Sequence, residues 1–413
     1  MLQQPWPWRV NDAVLYDALR DESRSAIAAV MAATARPDDD TVALVRQLRS
    51  AMYGTDGFDR DGIASRLEAV RPSTPAPRSG RVADGESVDA GRVQDVILRS
   101  LFDGARQSET PTFVLLAGAP AAGTGRVIAR LRREHDGDLV PVSIEDLQAF
   151  HPRYLDTRFR QSPAGRSDLS ELAASWLQTS ISHARESGYS LLLEGEFRTP
   201  DTALRVALRF ADSGHDVHVV TVAARDDQSL LAATSRGLRR MQERQPAEFV
   251  TPAQNEQSMR DVSALIVAAA DSPLVGRVSV LNQHGVSVFD AERSESGMLS
   301  GASVALSTSR SEPMSALEAT QWLSELRHMT EYARSLRTLP TPALESLVEL
   351  HEMAIRRVVP ELPVPTGSEV ARIQQQKLAT DLAALKRLRV QPEIVDVAAP
   401  TVTPAEPGPS ISR

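Results

Sequence analysis

The run Thr112-Phe113-Val114-Leu115-Leu116-Ala117, followed at once by the turn Gly118 to Gly123 and by helical spacing from Gly125 to Arg133, constrains this chain more than any other feature. A short continuous apolar run has no polar face to offer water. It reads as a strand covered on both sides, the position of a parallel strand between helices. The stretches 139–143, 189–194 and 216–223 read as further strands. They alternate with helical patterns over 169–186, 202–213, 227–244 and 251–270, and the stretches 277–282 and 286–290 close the region as a hairpin-like pair. This alternation predicts an α/β domain with a mostly parallel sheet flanked by helices, its ligand at the carboxyl ends of the strands.

At 413 residues the chain is too long for one ordinary core, so two or three units are expected. Apolar residues at helical spacing over 10–32, 41–52 and 63–70 predict an N-terminal helical module at 1–71. A Pro/Ser-rich stretch marks a linker at 72–90, before the α/β domain at 91–293. A polar linker is expected at 294–312, and three helical segments between prolines predict a C-terminal helical module at 313–391. The Pro/Thr/Val-rich tail 392–413 is expected to be disordered.

Composition narrows the functional classes. No apolar run approaches the roughly 20 residues that span a bilayer, so no membrane role is expected. The first residues carry neither a basic cluster nor an apolar core of a secretory signal, which makes a cytoplasmic location the expectation. With no cysteine, disulfides, thiolate metal sites and thiol catalysis are excluded. The eight histidines form no ligand cluster, and His151 reads as a structural loop residue, so no metal-binding protein site is expected. A net charge of -8 argues against broad nucleic-acid binding.

The loop Gly118-Ala119-Pro120-Ala121-Ala122-Gly123-Thr124-Gly125-Arg126 sits between strand and helix, where a phosphate-binding G-x-x-x-x-G-K-[ST] motif requires it. Gly118 and Gly123 stand at the correct separation and let successive amides face an anion at the helix N-terminus. Two side chains depart from the motif. Thr124 replaces the lysine that reaches the outer phosphates, and Gly125 replaces the metal-binding hydroxyl. Lys377 and Lys386 are the only lysines, so no lysine in this domain can stand in; Arg126, Arg130 or Thr124 must compensate. The alternative is a glycine-rich turn that binds nothing.

Further along, Ile144-Glu145-Asp146 followed by His151-Pro152, the segment Leu193-Glu194-Gly195-Glu196-Phe197-Arg198, the arginine-bearing stretch Leu230 to Arg240 and Thr251-Pro252 occur in one order. Over Thr112 to Asp290 this order resembles the zeta toxin family of P-loop kinases. The resemblance implies transfer of the ATP γ-phosphate, with Mg²⁺, to a hydroxyl of a sugar nucleotide such as UDP-N-acetylglucosamine, in a toxin–antitoxin setting with a protein antitoxin as partner. It places Glu145, or Asp146 if the strand end is shifted by one, as the base that accepts the hydroxyl proton. It assigns Arg236 to the transferring phosphoryl group, and Glu194, Arg198 and Gln178 to the substrate. The rival for the two acids is a helix cap with its first-turn carboxylate, and for Arg236 a solvated helix face. A second family arginine is replaced at Phe249-Val250. Loss of lysine, hydroxyl and arginine together leaves open a degenerate domain that binds a nucleotide or a partner without chemistry, and the N-terminal module is expected, from position alone, as a cover over the nucleotide site.

Overall fold

A computed structural model describes residues 12–34, 36–53, 60–70, 89–160, 163–293, 299, 301–364 and 368–390. The tail expected at 392–413 and most of the linker expected at 72–90 lie outside them. Three helices come first: α1 (Asp12–Ala33), α2 (Asp39–Tyr53) and α3 (Arg60–Val70). The α/β region follows with α4 (Ala90–Phe102), β1 (Thr112–Ala117), α5 (Thr124–Glu134), β2 (Val140–Ser143), α6 (Ile144–Gln148), α7 (Tyr154–Arg160), α8 (Pro163–Ser187), β3 (Leu191–Gly195), α9 (Pro200–Ala211), β4 (Asp216–Ala223), α10 (Asp226–Gln242), α11 (Pro252–Asp271), β5 (Arg277–Asn282) and β6 (Ser287–Glu292). Helices α12 (Gly301–Ser311), α13 (Ala316–Ser335), α14 (Thr341–Met353) and α15 (Glu369–Val390) complete it.

The six strands form one sheet in the order β2-β3-β1-β4-β5-β6. The first five are parallel, and β6 returns antiparallel to β5 as the expected hairpin partner. Side chains Phe113 to Ala117 are all buried, which is why β1 carries no alternation and lies in the middle of the sheet. Phe113 stacks on Phe210 of α9 with ring centroids 4.0 Å apart, fixing that helix against the sheet. Helix starts follow local chemistry. Thr251 with Gln254, and Ser315 with Glu318, form capping boxes that satisfy the first free amides of α11 and α13.

Two departures from the expected organisation concern the flanks. Residues 301–311, expected within a polar linker, form α12, because Ala302 and Leu306 fall one turn apart and bury against the sheet core. The N-terminal helices share that core too: Leu19, Ile27, Val45, Met52, Ile63 and Val70 belong to one apolar cluster with β1, β3 and β4. A second cluster joins α13, α14 and α15 to Leu230, Leu231 and Leu238 of α10. Helix α10 therefore carries the C-terminal helices on one side.

Candidate active site

Positive φ angles at Ala121 (52°) and Gly123 (90°) curl the chain between β1 and α5. The Ala122 amide donates to the Ala119 carbonyl at 3.1 Å, which closes the loop into the amide-lined concavity expected of a phosphate nest. A Cβ at Gly118 would come within 2.8 Å of the Thr124 methyl, so the first glycine is needed for the loop to fold back on itself. Ser229 Oγ donates to the Pro120 carbonyl at 2.6 Å and ties the loop to α10.

Sheet register brings the acids to the same edge. Glu194 lies opposite Leu116, next to the loop, and also opposite Ser143 at the end of β2. Ser143 caps α6 by accepting the Asp146 amide, which holds Asp146 in the helix's first turn. Asp146 is buried whereas Glu145 is exposed. Of the two candidate bases it is therefore Asp146 that faces Glu194's side of the site. The Thr124 hydroxyl, at the lysine position, helps to lower the carboxyl of Glu194.

Helix α1 covers this edge. Tyr16, Arg20 and Arg24 recur every four residues and so share one face. Arg20 makes a two-pronged contact with the Glu194 carboxylate, 3.0 Å through one nitrogen, and also bonds the Tyr53 hydroxyl at 3.0 Å. Arg24 Nε donates to Asp146 Oδ1 at 2.8 Å, and the Tyr53 hydroxyl donates to the other oxygen of Asp146. On the adjacent face Asp21 accepts from Arg236 Nε at 2.8 Å and pairs with Arg240 at 2.9 Å. A side chain at Gly125 would overlap the Tyr16 ring.

Burial works to raise the Asp146 carboxyl, but Arg24, Arg20 and Arg49 overcome it and hold the group well below the usual range. Asp21 is likewise opposed by burial and held far down by Arg236 and Arg240. Glu194 is lowered by Arg20 and by the Thr124 hydroxyl against its burial. Asp17, half-buried on α1, goes the other way: desolvation pushes it up despite Arg236 and Arg20. Both acids and Arg236 are thus charged and already paired, the acids largely out of water and Arg236 partly exposed.

Other expected residues fall outside this cluster. Arg198 is exposed beside Glu196, whose carboxyl is pushed up by burial with help from Glu145 and against Arg198. Gln178 is exposed on α8. The Arg126 stem leans toward Gly285, and Arg130 bonds the Gly285 carbonyl at 2.8 Å, so both helix arginines reach toward the β5–β6 turn. The guanidinium beside the loop comes from Arg20 instead. Phe249, in place of the second arginine, packs where a Cβ of Gly237 would be. His151 is buried and accepts the Arg153 amide, the structural role expected for it. Among the described residues, no group of three or more His, Asp or Glu side chains is placed to hold a metal ion.

The zeta toxin family model matches residues 95–294. Those residues, a little under half of the chain, form a zeta toxin domain. Toxin PezT of Streptococcus pneumoniae is 25% identical over 139 residues, 34% of this chain and 55% of PezT, so the match spans little more than half of that toxin. Toxin zeta of Enterococcus hirae is 20% identical over 195 residues, 47% of this chain and 68% of that protein. A solved structure from the PezAT chromosomal toxin–antitoxin system of Streptococcus pneumoniae superposes with a TM-score of 0.52 at 18% identity, covering 61% of this chain and 99% of that one, and shows the fold. The zeta match begins at α4, leaving α1 to α3 outside it. Sequence reading missed Tyr16, Arg20, Asp21, Arg24 and Tyr53; the signal was the four-residue spacing of the first, second and fourth along one face of a helix.

Proposed function

We propose that the central domain is a zeta-type phosphotransferase site with a weakened donor end, acting on a sugar nucleotide such as UDP-N-acetylglucosamine. One observation carries the reading: Asp146, Glu194 and the arginine helix of Arg236 converge on the glycine loop at the carboxyl ends of parallel strands. A carboxylate there accepts the proton of an attacking hydroxyl, and a guanidinium offsets charge on the transferring group. Glu194 and Gln178, with Arg198 at the rim, are the candidate acceptor contacts. ATP phosphates fit the amide nest of 118–124. Mg²⁺ fits poorly, because Gly125 supplies no ligand and both carboxylates are taken by Arg20 and Arg24. No step is therefore routed through the metal. The toxin–antitoxin neighbour brings an antitoxin-like protein partner into the same reading, and use of ATP and a sugar nucleotide implies a cytoplasmic setting. Among the described residues no helix is long and apolar enough to cross a membrane.

The second reading, a domain that binds a nucleotide or a partner without chemistry, is favoured by the fit of Tyr16 on Gly125 and of Phe249 on Gly237. The two separate in one assay. The full chain and its Tyr16→Ala variant are incubated with ATP, Mg²⁺ and UDP-N-acetylglucosamine, and phosphorylated sugar nucleotide is quantified. Transfer in the variant at least tenfold above an Asp146→Asn control supports the first reading. Transfer no greater than that control in either protein replaces it with the second.

A further inference from the structure

We propose that residues 12–53 are an inhibitor carried in cis, and that α1 holds the site shut by copying the charges of its ligand. The proposal rests on the reading of this edge as an anion and nucleotide site, and adds who occupies it. Three independent contacts point the same way.

The first is charge order. Arg20 and Arg24 lie on the two acids, and Asp21, between them in sequence, lies on Arg236 and Arg240. A polyphosphate would present its anionic oxygens to the same arginines, and Asp21 stands for one of those oxygens. Arg20 and Arg24 neutralise the two acids, which would otherwise repel such an anion. The second is shape. Tyr16 rests where any side chain of residue 125 would be, so the residue that costs the loop its hydroxyl is the one that admits the lid. Tyr16 is itself anchored, its hydroxyl donating to the Met52 carbonyl at 2.9 Å. The third is redundancy from α2. Tyr53 reaches Asp146, and Arg49 donates to the Pro141 carbonyl at 2.7 Å. Two helices, not one frayed end, close over the acids.

A surface helix that merely packed would place its charges toward water. Here Arg20, Asp21 and Arg24 are 5 to 6% exposed, and each is matched to a group the central domain needs for binding or transfer. Burying such charges is unfavourable unless each has a partner, so the pairing is specific to this docking register. It also means that an incoming ligand competes with α1 for the same four groups, Asp146, Glu194, Arg236 and Arg240.

Hydrogen exchange and titration with inorganic triphosphate test this on the full chain. In a Tyr16→Ala/Asp21→Asn variant the amides of 16–33 are expected to lose at least tenfold protection while those of α13 and α14 keep theirs. Triphosphate is expected to bind at least tenfold more tightly than to the parent, and adding Arg236→Ala should remove that gain. Gly125→Ser, which evicts the Tyr16 ring from the loop side without touching α1, should produce the same opening. Loss of protection with unchanged or weaker triphosphate binding would overturn the proposal, as would full protection of α1 in both variants. Tight triphosphate binding by an opened variant that transfers no phosphate upholds the cis inhibitor and overturns only the phosphotransferase reading.

Discussion

Two faces of helix α10, one toward α1 and one toward the C-terminal helices, are held by different physics. Toward α1 it presents Arg236 and Arg240, met by Asp21. Toward the C-terminal helices it presents Leu230, Leu231 and Leu238, met by Trp322, Leu326 and Leu347. Polar contacts frame this second face without dominating it: Trp322 Nε1 donates to the Asp227 carbonyl at 3.2 Å, and Arg225 pairs with Glu361 at 2.8 Å. Burial of apolar area is non-directional and insensitive to what lies in the site. A desolvated ion pair is the reverse, since each partner left alone is costly and either can be claimed by a competing ion. The arginine helix is thus fixed on its C-terminal face and exchangeable on its N-terminal face.

Leu326→Ala breaks the fixed face. Leu326 is fully buried in the second cluster, so its truncation should cost about 2–5 kcal/mol through lost transfer energy and the cavity left behind. Urea unfolding followed by Trp fluorescence and by exchange in α13 and α14 reads it. Loss of stability confined to α1 would contradict the division between the faces.

Asp21→Asn breaks the exchangeable face. The amide keeps the shape and some hydrogen bonding but leaves Arg236 and Arg240 without their counter-charge. Removing one partner of a fully buried pair costs about 3–5 kcal/mol. Arg236 is 34% exposed, and water screens part of that loss, so about 2 kcal/mol is expected. The change should appear as faster exchange in α1, with α13 and α14 unchanged. Equal loosening of all three helices would show that the ion pairs serve the whole structure.

The part of this arrangement that could be read in the sequence is the part written in neighbouring residues. A six-residue apolar run, two glycines at fixed separation and acids at strand ends specify the sheet, the loop and one edge of the site, because register follows from strands that must be buried. Helix α12 was hidden by its hydroxyls. Ser303, Ser307, Thr308, Ser309 and Ser311 read as linker, yet Ser311 Oγ donates to the Ser307 carbonyl at 2.8 Å, satisfying itself inside the helix while Ala302 and Leu306 supply the burial. Asp146 and Glu145 were not separable from sequence, since only the Ser143 cap decides which carboxylate turns inward. Position alone suggested a cover from the N-terminal module, but the residues that make it lay furthest out of reach. Its contacts join residues 122, 174 and 215 positions apart, and charges on a helix ordinarily imply a face in water.

Acid offers the gentlest way to tell the two faces apart. Asp21, Asp146 and Glu194 are held below their ordinary values, so their contribution is complete above about pH 5 and is lost as pH falls toward the folded values. At pH 3 the linkage is about 1 kcal/mol for each carboxylate still ionised in the folded chain, since that pH is about one unit below the ordinary range. Asp17, raised by burial, has the opposite sign and returns part of this as it protonates. His218 acts elsewhere: burial pushes it down to about 3, so the sheet weakens from about pH 6.5 downward as the unfolded chain takes up the proton first. His351 of α14, buried against Thr330 of α13 and also pushed down by burial, has the same sign, so a His218→Gln/His351→Gln background removes both contributions. In it, protection factors for α1 should fall between pH 6 and pH 3 while those of α13 stay within twofold. If α13 falls in step with α1, charge does not distinguish the two sides of α10.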